Sequence, residues 1–296
     1  AGAFSFKSPM VTYDVIVIGA GIVGAACAHA LANAGQRVLV LDARLGGATN
    51  AGMGHLVVMD DNPAELALSQ ASLVQWHAWA PRMGSEAPDT AFNACGTLWV
   101  AADAEEMQEA EHKRERLQAH GIACELIGSR DLAALEPVLR PGLHGALRVS
   151  GDSMVYAPNA AEWLLGHAAK PIHIEALRAS RNEGRRVHCT DGSVREGGAV
   201  LLAAGIHATQ FCPELPIRPK KGHLAITDRG SAAVRHQLVE LGYVKNAHQT
   251  EGTSVAFNLQ PRPTGQWLLG SSRQFDTLDP AIDNAVLGQM LRRAID

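Results

Sequence analysis

Between Tyr13 and Asp42 the rhythm of apolar and polar positions changes twice. "YDVIVI" (13–18) is a continuous run of strand type that stops at Gly19, Gly21 and Gly24, so a helix must start inside that turn. The helix predicted there runs from Gly21 to Ala34, Gly35 stops it, and a second strand, 37–41, ends in Asp42. Downstream, Pro63 opens a helix over 64–80 with Leu66, Leu73, Trp76 and Ala80 on one face. "GTLWVA" (96–101) reads as a strand. Asp103 caps the charged helix that follows, Glu106 completes a capping box, and Gly121 ends it. Its run "EAEHKRER" is a solvated face. A short helix capped by Ser129 and ended at Pro137, a strand near 145–150 and a helix opened by Pro158 come next. Three short strands are predicted at 172–178, 187–190 and 194–195, the last two joined by an Asp191-Gly192 hairpin turn. "GGAVLLAAGIHA" (197–208) is then read as a separate apolar strand ending in Ala203-Ala204-Gly205. Runs of β type follow at 222–227, 253–260 and 266–270, and a helix occupies 281 to the last residue.

The first turn carries the chemistry. Gly19 lets the chain leave the strand, Gly21 lacks a Cβ that would block a pyrophosphate, and Gly24 allows the helix to lie close on the sheet. The helix N-terminus offers N–H groups and positive dipole to an anion. Asp42, at the end of the second strand, is placed to accept hydrogen bonds from a ribose diol, and it disfavours a 2′-phosphate. A dinucleotide is the expected guest, NADP excepted. The glycine-rich loop "ARLGGATNAGMGHLVV" after Asp42 departs from a plain NAD domain, which would return at once to a third parallel strand. The small residues Ala203, Ala204 and Gly205 suggest a second close backbone approach to the ligand.

Composition narrows the remaining classes. The 296 residues are 47% hydrophobic and 19% charged, ordinary for a globular chain with room for two cores. Net charge is −4 and the basic residues are scattered, so a nucleic-acid face is not expected. No apolar stretch is long enough to span a bilayer. Five cysteines without a CxxC argue against disulfide frameworks, zinc and iron–sulfur ligation, and point to reduced thiols in the cytoplasm. Thirteen histidines form no HxxEH, HExxH or HxH pattern, so no metal site is predicted. Residues 1–9 read as an added leader before a native start at Met10.

Three motifs, "DVIVIGAGIVGAACAHAL" (14–31), "GGATNAGMG" (46–54) and "AVLLAAGIHA" (199–208), resemble the D-amino acid oxidase superfamily of flavoproteins, which includes glycine oxidase, sarcosine oxidase and D-amino acid dehydrogenase. Within it, "AGMGHLVVMDD", "GTLWVAAD", "RHQLVELGY" and "SVAFNLQPRPTG" resemble the flavin subunits of bacterial hydroxyproline dehydrogenases and of hydrogen cyanide synthase. The resemblance implies an α/β fold: a Rossmann-like, GR2-type FAD-binding domain over 10–60 and 137–212, and a mixed or antiparallel-sheet substrate domain over 61–136 and 213–296. It implies FAD as cofactor, with Gly19, Ala20, Gly21, Ile22, Val23 and Gly24 at the pyrophosphate and Asp42, Ala43 and Arg44 at the ribose. Thr49, Asn50, Ala51, Gly52 and Met53 would run beside pyrophosphate and isoalloxazine, Ile174 would offer backbone to adenine, and Ala203, Ala204 and Gly205 would pack on the cofactor.

The implied reaction is oxidation of the C–N bond of a small amino acid (D-hydroxyproline, D-proline, glycine or sarcosine) by hydride transfer to flavin N5, giving an imine. His55, Arg273 and Asn258 are the candidate residues beside the flavin and substrate, Asn258 falling where glycine oxidase presents a tyrosine. Arg262 is assigned to a turn or the surface. The family's carboxylate-binding arginine lies in a C-terminal stretch "GxRPxTPDGxPxIG" that is not found here, so a truncated form with weak or no FAD binding is expected. The alternatives are a flavin-binding subunit of a heteromeric dehydrogenase without independent activity, a truncated inactive form, or an NAD-linked dehydrogenase, which would need a continued Rossmann repeat after Asp42; the partners expected are iron–sulfur subunits or further copies of the chain in a homo-oligomer.

Overall fold

Tyr13–Ile18 is a strand because its apolar side chains can be covered on both faces, and the structure covers both. This computed structural model describes residues 12–230, 233–242 and 252–295, so the expected leader at 1–9 and the last residue of the expected C-terminal helix, Asp296, lie outside the described residues. Tyr13–Ile18 pairs in parallel with Val38–Leu41 on one side and Val194–Leu202 on the other, and His173–Glu175 extends the parallel set beyond Val38–Leu41. Two antiparallel strands, Arg186–Cys189 and Ala179–Glu183, complete a six-stranded sheet. Helix Ile22–Asn33 lies against helix Ala157–Gly166, where Ala25, Ala28 and Ala32 keep the first helix thin and the buried His29 Nδ1 bonds the Leu164 carbonyl at 2.8 Å.

The two strands predicted at 194–195 and 197–208 are one strand, Val194–Leu202. Gly197 and Gly198 lie inside it. They are points of close approach: a Cβ on Gly197 would lie 2.9 Å from the Ile16 side chain, and one on Gly198 would lie 2.7 Å from the Asp14 carbonyl oxygen. The segment ending at Gly52 and Ala157–Ile217 form one compact unit; Met53–Tyr156 and the chain from Arg218 onward form a second.

The second unit is built on an eight-stranded sheet, antiparallel except where Gln237–Glu240 runs parallel to Thr97–Ala101. Helix Pro63–Glu86 begins at Asn62, whose side chain accepts from Glu65 N at 2.9 Å. Helix Ala104–Ala119 begins at Asp103, which accepts from Glu106 N at 2.8 Å, while the Glu106 carboxylate reaches back to Ala102 N at 2.7 Å. Ser129 does not cap its helix. It is the first helical residue of Ser129–Leu135, and Gly128 occupies the cap position. Helix Asn284–Ile295 closes the described chain, with Asp283 accepting from Ala285 N and Val286 N.

Candidate functional site

Four parallel strands of the first unit end level with one another. Ile18 is in register with Leu41 and with Leu202, and Leu41 with Glu175, so the carboxyl ends form one edge. In open α/β sheets this edge is where ligands bind. The chain leaves Ile18 through Gly19, at φ +105°, whose N–H donates to the Leu41 carbonyl at 2.8 Å. A Cβ on Gly24 would lie 1.9 Å from the Gly19 oxygen, so helix and turn are in backbone contact. At Gly21 a Cβ would meet only Thr49 Oγ1, at 3.1 Å. The first turn of helix Ile22–Asn33 carries no acidic side chain, which leaves its positive end to an anion.

Around this turn Asp42 and Thr49 make side-chain contacts to the backbone, and the other expected cofactor residues lie on the neighbouring segments. Asp42 accepts from Ala20 N and Arg44 N, both at 2.7 Å, and so ties the end of the second strand to the glycine turn. Arg44 is held at φ +52°, next to the half-buried Ala43. Residues Ala48–Ala51, expected as loop, form one helical turn, and Thr49 Oγ1 accepts from Ile22 N at 2.9 Å. Asn50, Ala51 and Gly52 are exposed. Ala203 donates its N–H to the Ile18 carbonyl at 2.9 Å, and Gly205, at φ +55°, starts a short 3₁₀ turn after Ala204. Ile174 pairs with Val40 in the sheet.

These residues fit FAD. A cradle that a Cβ at Gly21 would begin to fill faces a helix N-terminus, and an acid stands at the neighbouring strand end. Large apolar side chains at or beside the same edge are left exposed: Val23, Leu45, Ile174 and Ile206. Such surface is what flat aromatic rings cover.

In the second unit, Met53 is buried and Gly54, at φ +76°, lies so close to the Val155 carbonyl that a Cβ would approach it to 1.9 Å. His55 follows, paired across a two-stranded sheet with Met154. Its Nε2 is buried without a hydrogen-bond partner, and burial, assisted by the Arg262 charge, holds its pKa at about 4. Arg262 is not a surface residue. It occupies a turn, as expected, but its side chain goes inward, Nη2 donating to the Met53 carbonyl at 3.1 Å with Cζ 5.8 Å from the centre of the Tyr156 ring. Burial lowers its pKa, against the pull of Tyr156.

Asn258 is buried and donates to Ser271 Oγ at 3.1 Å. Arg273, in register with Ser254 on the neighbouring strand, is half-buried and has Asp61 as its opposing charge. The structure thus groups His55 with Arg262 and Asn258 with Ser271. Nothing in the sequence marked Arg262 above Arg273, since both follow apolar strand runs and only packing separates them. Among the described residues no group of three or more His, Cys, Asp or Glu side chains is placed to hold a metal ion.

Comparison with known proteins follows this geometry. The pattern of the DAO family, described as FAD dependent oxidoreductase, matches residues 14–296. The chain is 25% identical over 271 residues to hydrogen cyanide synthase subunit HcnC of Pseudomonas aeruginosa, covering 74% of this chain and 65% of that protein. It is 26% identical over 230 residues to glycine oxidase of the same organism, covering 72% and 62%. The chain therefore spans somewhat under two thirds of the length of both relatives. The crystal structure of glycine oxidase from Geobacillus kaustophilus superposes with a TM-score of 0.81 at 20% identity, over 95% of this chain and 77% of that one. Matched by that family over residues 14–296, the chain belongs to the DAO family of FAD-dependent oxidoreductases.

Proposed function

We propose that this protein oxidises the C–N bond of a small amino acid of the D-hydroxyproline, D-proline, glycine or sarcosine type. The observation that carries the reading is His55, a half-buried imidazole with its Nε2 out of water, kept neutral three residues beyond the glycine-rich Thr49–Gly52 segment. A neutral ring can lie beside a substrate amine without repelling it or adding charge to a dry cavity. Gly19, Gly21, Gly24, Asp42 and Thr49 would hold the dinucleotide, and Met53, Asn258 and Arg273 would shape the substrate side. FAD, when bound, supplies the acceptor for the hydride that leaves the α-carbon. The protein's own residues then need only bind, orient and exclude water.

A second reading, a flavin-carrying subunit of a heteromeric amino acid dehydrogenase, is favoured by the likeness to HcnC, itself a subunit. Free cysteines fit a reducing compartment, and cytoplasmic placement is part of the proposal. Among the described residues no helix is long and apolar enough to cross a membrane.

The test is the visible absorption spectrum of the purified chain with FAD, then with cis-4-hydroxy-D-proline or glycine under anaerobic conditions. Bleaching of bound flavin by one of these amines is expected, and peroxide formation in air separates an oxidase from a dehydrogenase that needs a dye or a partner. Bound flavin that no small amino acid reduces would overturn the substrate class.

A further inference from the structure

Arg262 is unusual for what its side chain lacks. Its backbone is pinned in a turn, N–H to the Gln266 carbonyl at 2.8 Å and its carbonyl accepting from Gly265 N at 2.9 Å, so the side chain leaves from a fixed point. Nη2 is used on the Met53 carbonyl. Nη1 is buried with no acceptor, and Nε2 of His55, whose ring feels the Arg262 charge, is buried with no hydrogen-bond partner. A buried guanidinium stays charged, and a buried N–H without an acceptor is costly. Two such nitrogens beside one permanent positive charge make a site that is short of an anion.

The anion must suit both groups. A guanidinium edge matches two oxygens in a plane, and one neutral imidazole can offer a single N–H. A carboxylate satisfies that pair, and it would select the tautomer of His55 that carries its proton on Nε2. The cover over Arg262 is the Tyr156 ring, 41% of that residue being exposed while its backbone N–H is tied to the Thr90 carbonyl at 2.6 Å. The ring can therefore turn outward with its main chain in place. We infer that Arg262 Nη1 and His55 Nε2 form a carboxylate-receiving subsite of the second unit, with the Tyr156 ring as its movable cover. The inference rests on the proposed function only in naming the substrate's carboxylate as the natural occupant.

The experiment needs no flavin. Sodium acetate is titrated into the full chain at constant ionic strength set with chloride, and the His55 imidazole resonance, assigned with His55→Gln, is followed by NMR. A saturable shift with acetate and none with acetamide is expected. Arg262→Gln should weaken acetate at least about tenfold, the loss that follows from removing a charge-assisted hydrogen bond. Should that variant not fold, Arg262→Lys decides: it keeps the charge without the fork and should bind acetate several-fold more weakly. Tyr156→Ala should bind at least as tightly as the native chain. No saturable shift in the native chain, or an unchanged curve in a folded Arg262 variant, overturns the subsite. The two proposals also fail separately. Acetate held through Arg262 in a chain whose flavin no amino acid bleaches removes amino acid oxidation and keeps the subsite. Bleaching by an amino acid in a chain that shows no saturable acetate shift keeps the oxidation and removes the subsite.

Discussion

Asp152 and the Nε2 of His55 are both taken out of water, and the two side chains respond to pH in opposite senses. Asp152 is 1% exposed; one carboxylate oxygen accepts from Val58 N at 3.1 Å and the other has no partner. Burial pushes its pKa up to about 7, outweighing the hydrogen bond from Thr97 and the charge of Lys113. A carboxyl raised in the folded state binds more protons folded than unfolded, so it costs stability as pH rises from the unfolded value toward 7. For His55, lowered from 6.5 to about 4, the unfolded chain binds the extra proton, so its contribution is present above 6.5 and lost as pH falls toward 4. The two slopes oppose each other in the overlapping range. Asp152→Asn removes one of them, and its stability relative to the native chain should rise by about 2–4 kcal/mol between about pH 4 and pH 8. Urea unfolding at several pH values measures this, and a difference independent of pH would mean that Asp152 titrates normally.

One strand, turn and helix form the proposed cofactor cradle, and the three glycines in that element are not equivalent. Gly24→Ala places a Cβ 1.9 Å from the Gly19 oxygen, which only a backbone shift relieves, so a loss of about 2–3 kcal/mol is expected. Gly21→Ala meets only Thr49 Oγ1, at 3.1 Å, a contact that a side-chain hydroxyl can relieve. Its melting temperature should stay near native while FAD affinity falls about tenfold or more, the methyl standing where the pyrophosphate must approach. Equal FAD affinity in a folded Gly21→Ala variant would place the pyrophosphate elsewhere. The element was readable because each of its signals is local: a strand run, glycines at fixed offsets, a helix stop and a terminal acid. Strand Gln237–Glu240 was not read, although it lies in mid-sheet between Thr97–Ala101 and Thr253–Pro261. It has a polar residue at each end, and Gln237 is satisfied only by partners far along the chain, Thr97 Oγ1, the Ser153 carbonyl and Gln260.

At the scale of the whole molecule the chain passes between its two units at Gly52–Met53, Tyr156–Ala157 and Ile217–Arg218, so each unit is assembled from separated segments. Arg262 contacts Met53 and Tyr156, the second unit's end residues at the first two crossings. A ligand that binds only folded chain must stabilise it. FAD at a hundred times its dissociation constant should add about 2.7 kcal/mol, seen as a raised melting temperature that NAD at the same concentration does not produce. A shift with NAD and none with FAD would contradict the flavin assignment.

Sequence alone determined the α/β class and pointed to a dinucleotide turn, because periodicity, glycine spacing and a strand-end acid act over a few residues, and the flavin family came from the resemblance of three motifs. Only the tertiary structure decided that the Arg262 side chain turned inward, that Asp152 and the Nε2 of His55 would be buried, and that Gln237–Glu240 would be a central strand. Those outcomes depend on groups about a hundred residues or more apart in the chain, as with Val58 and Asp152 or Met53 and Arg262, and no local pattern records the desolvation that such packing imposes.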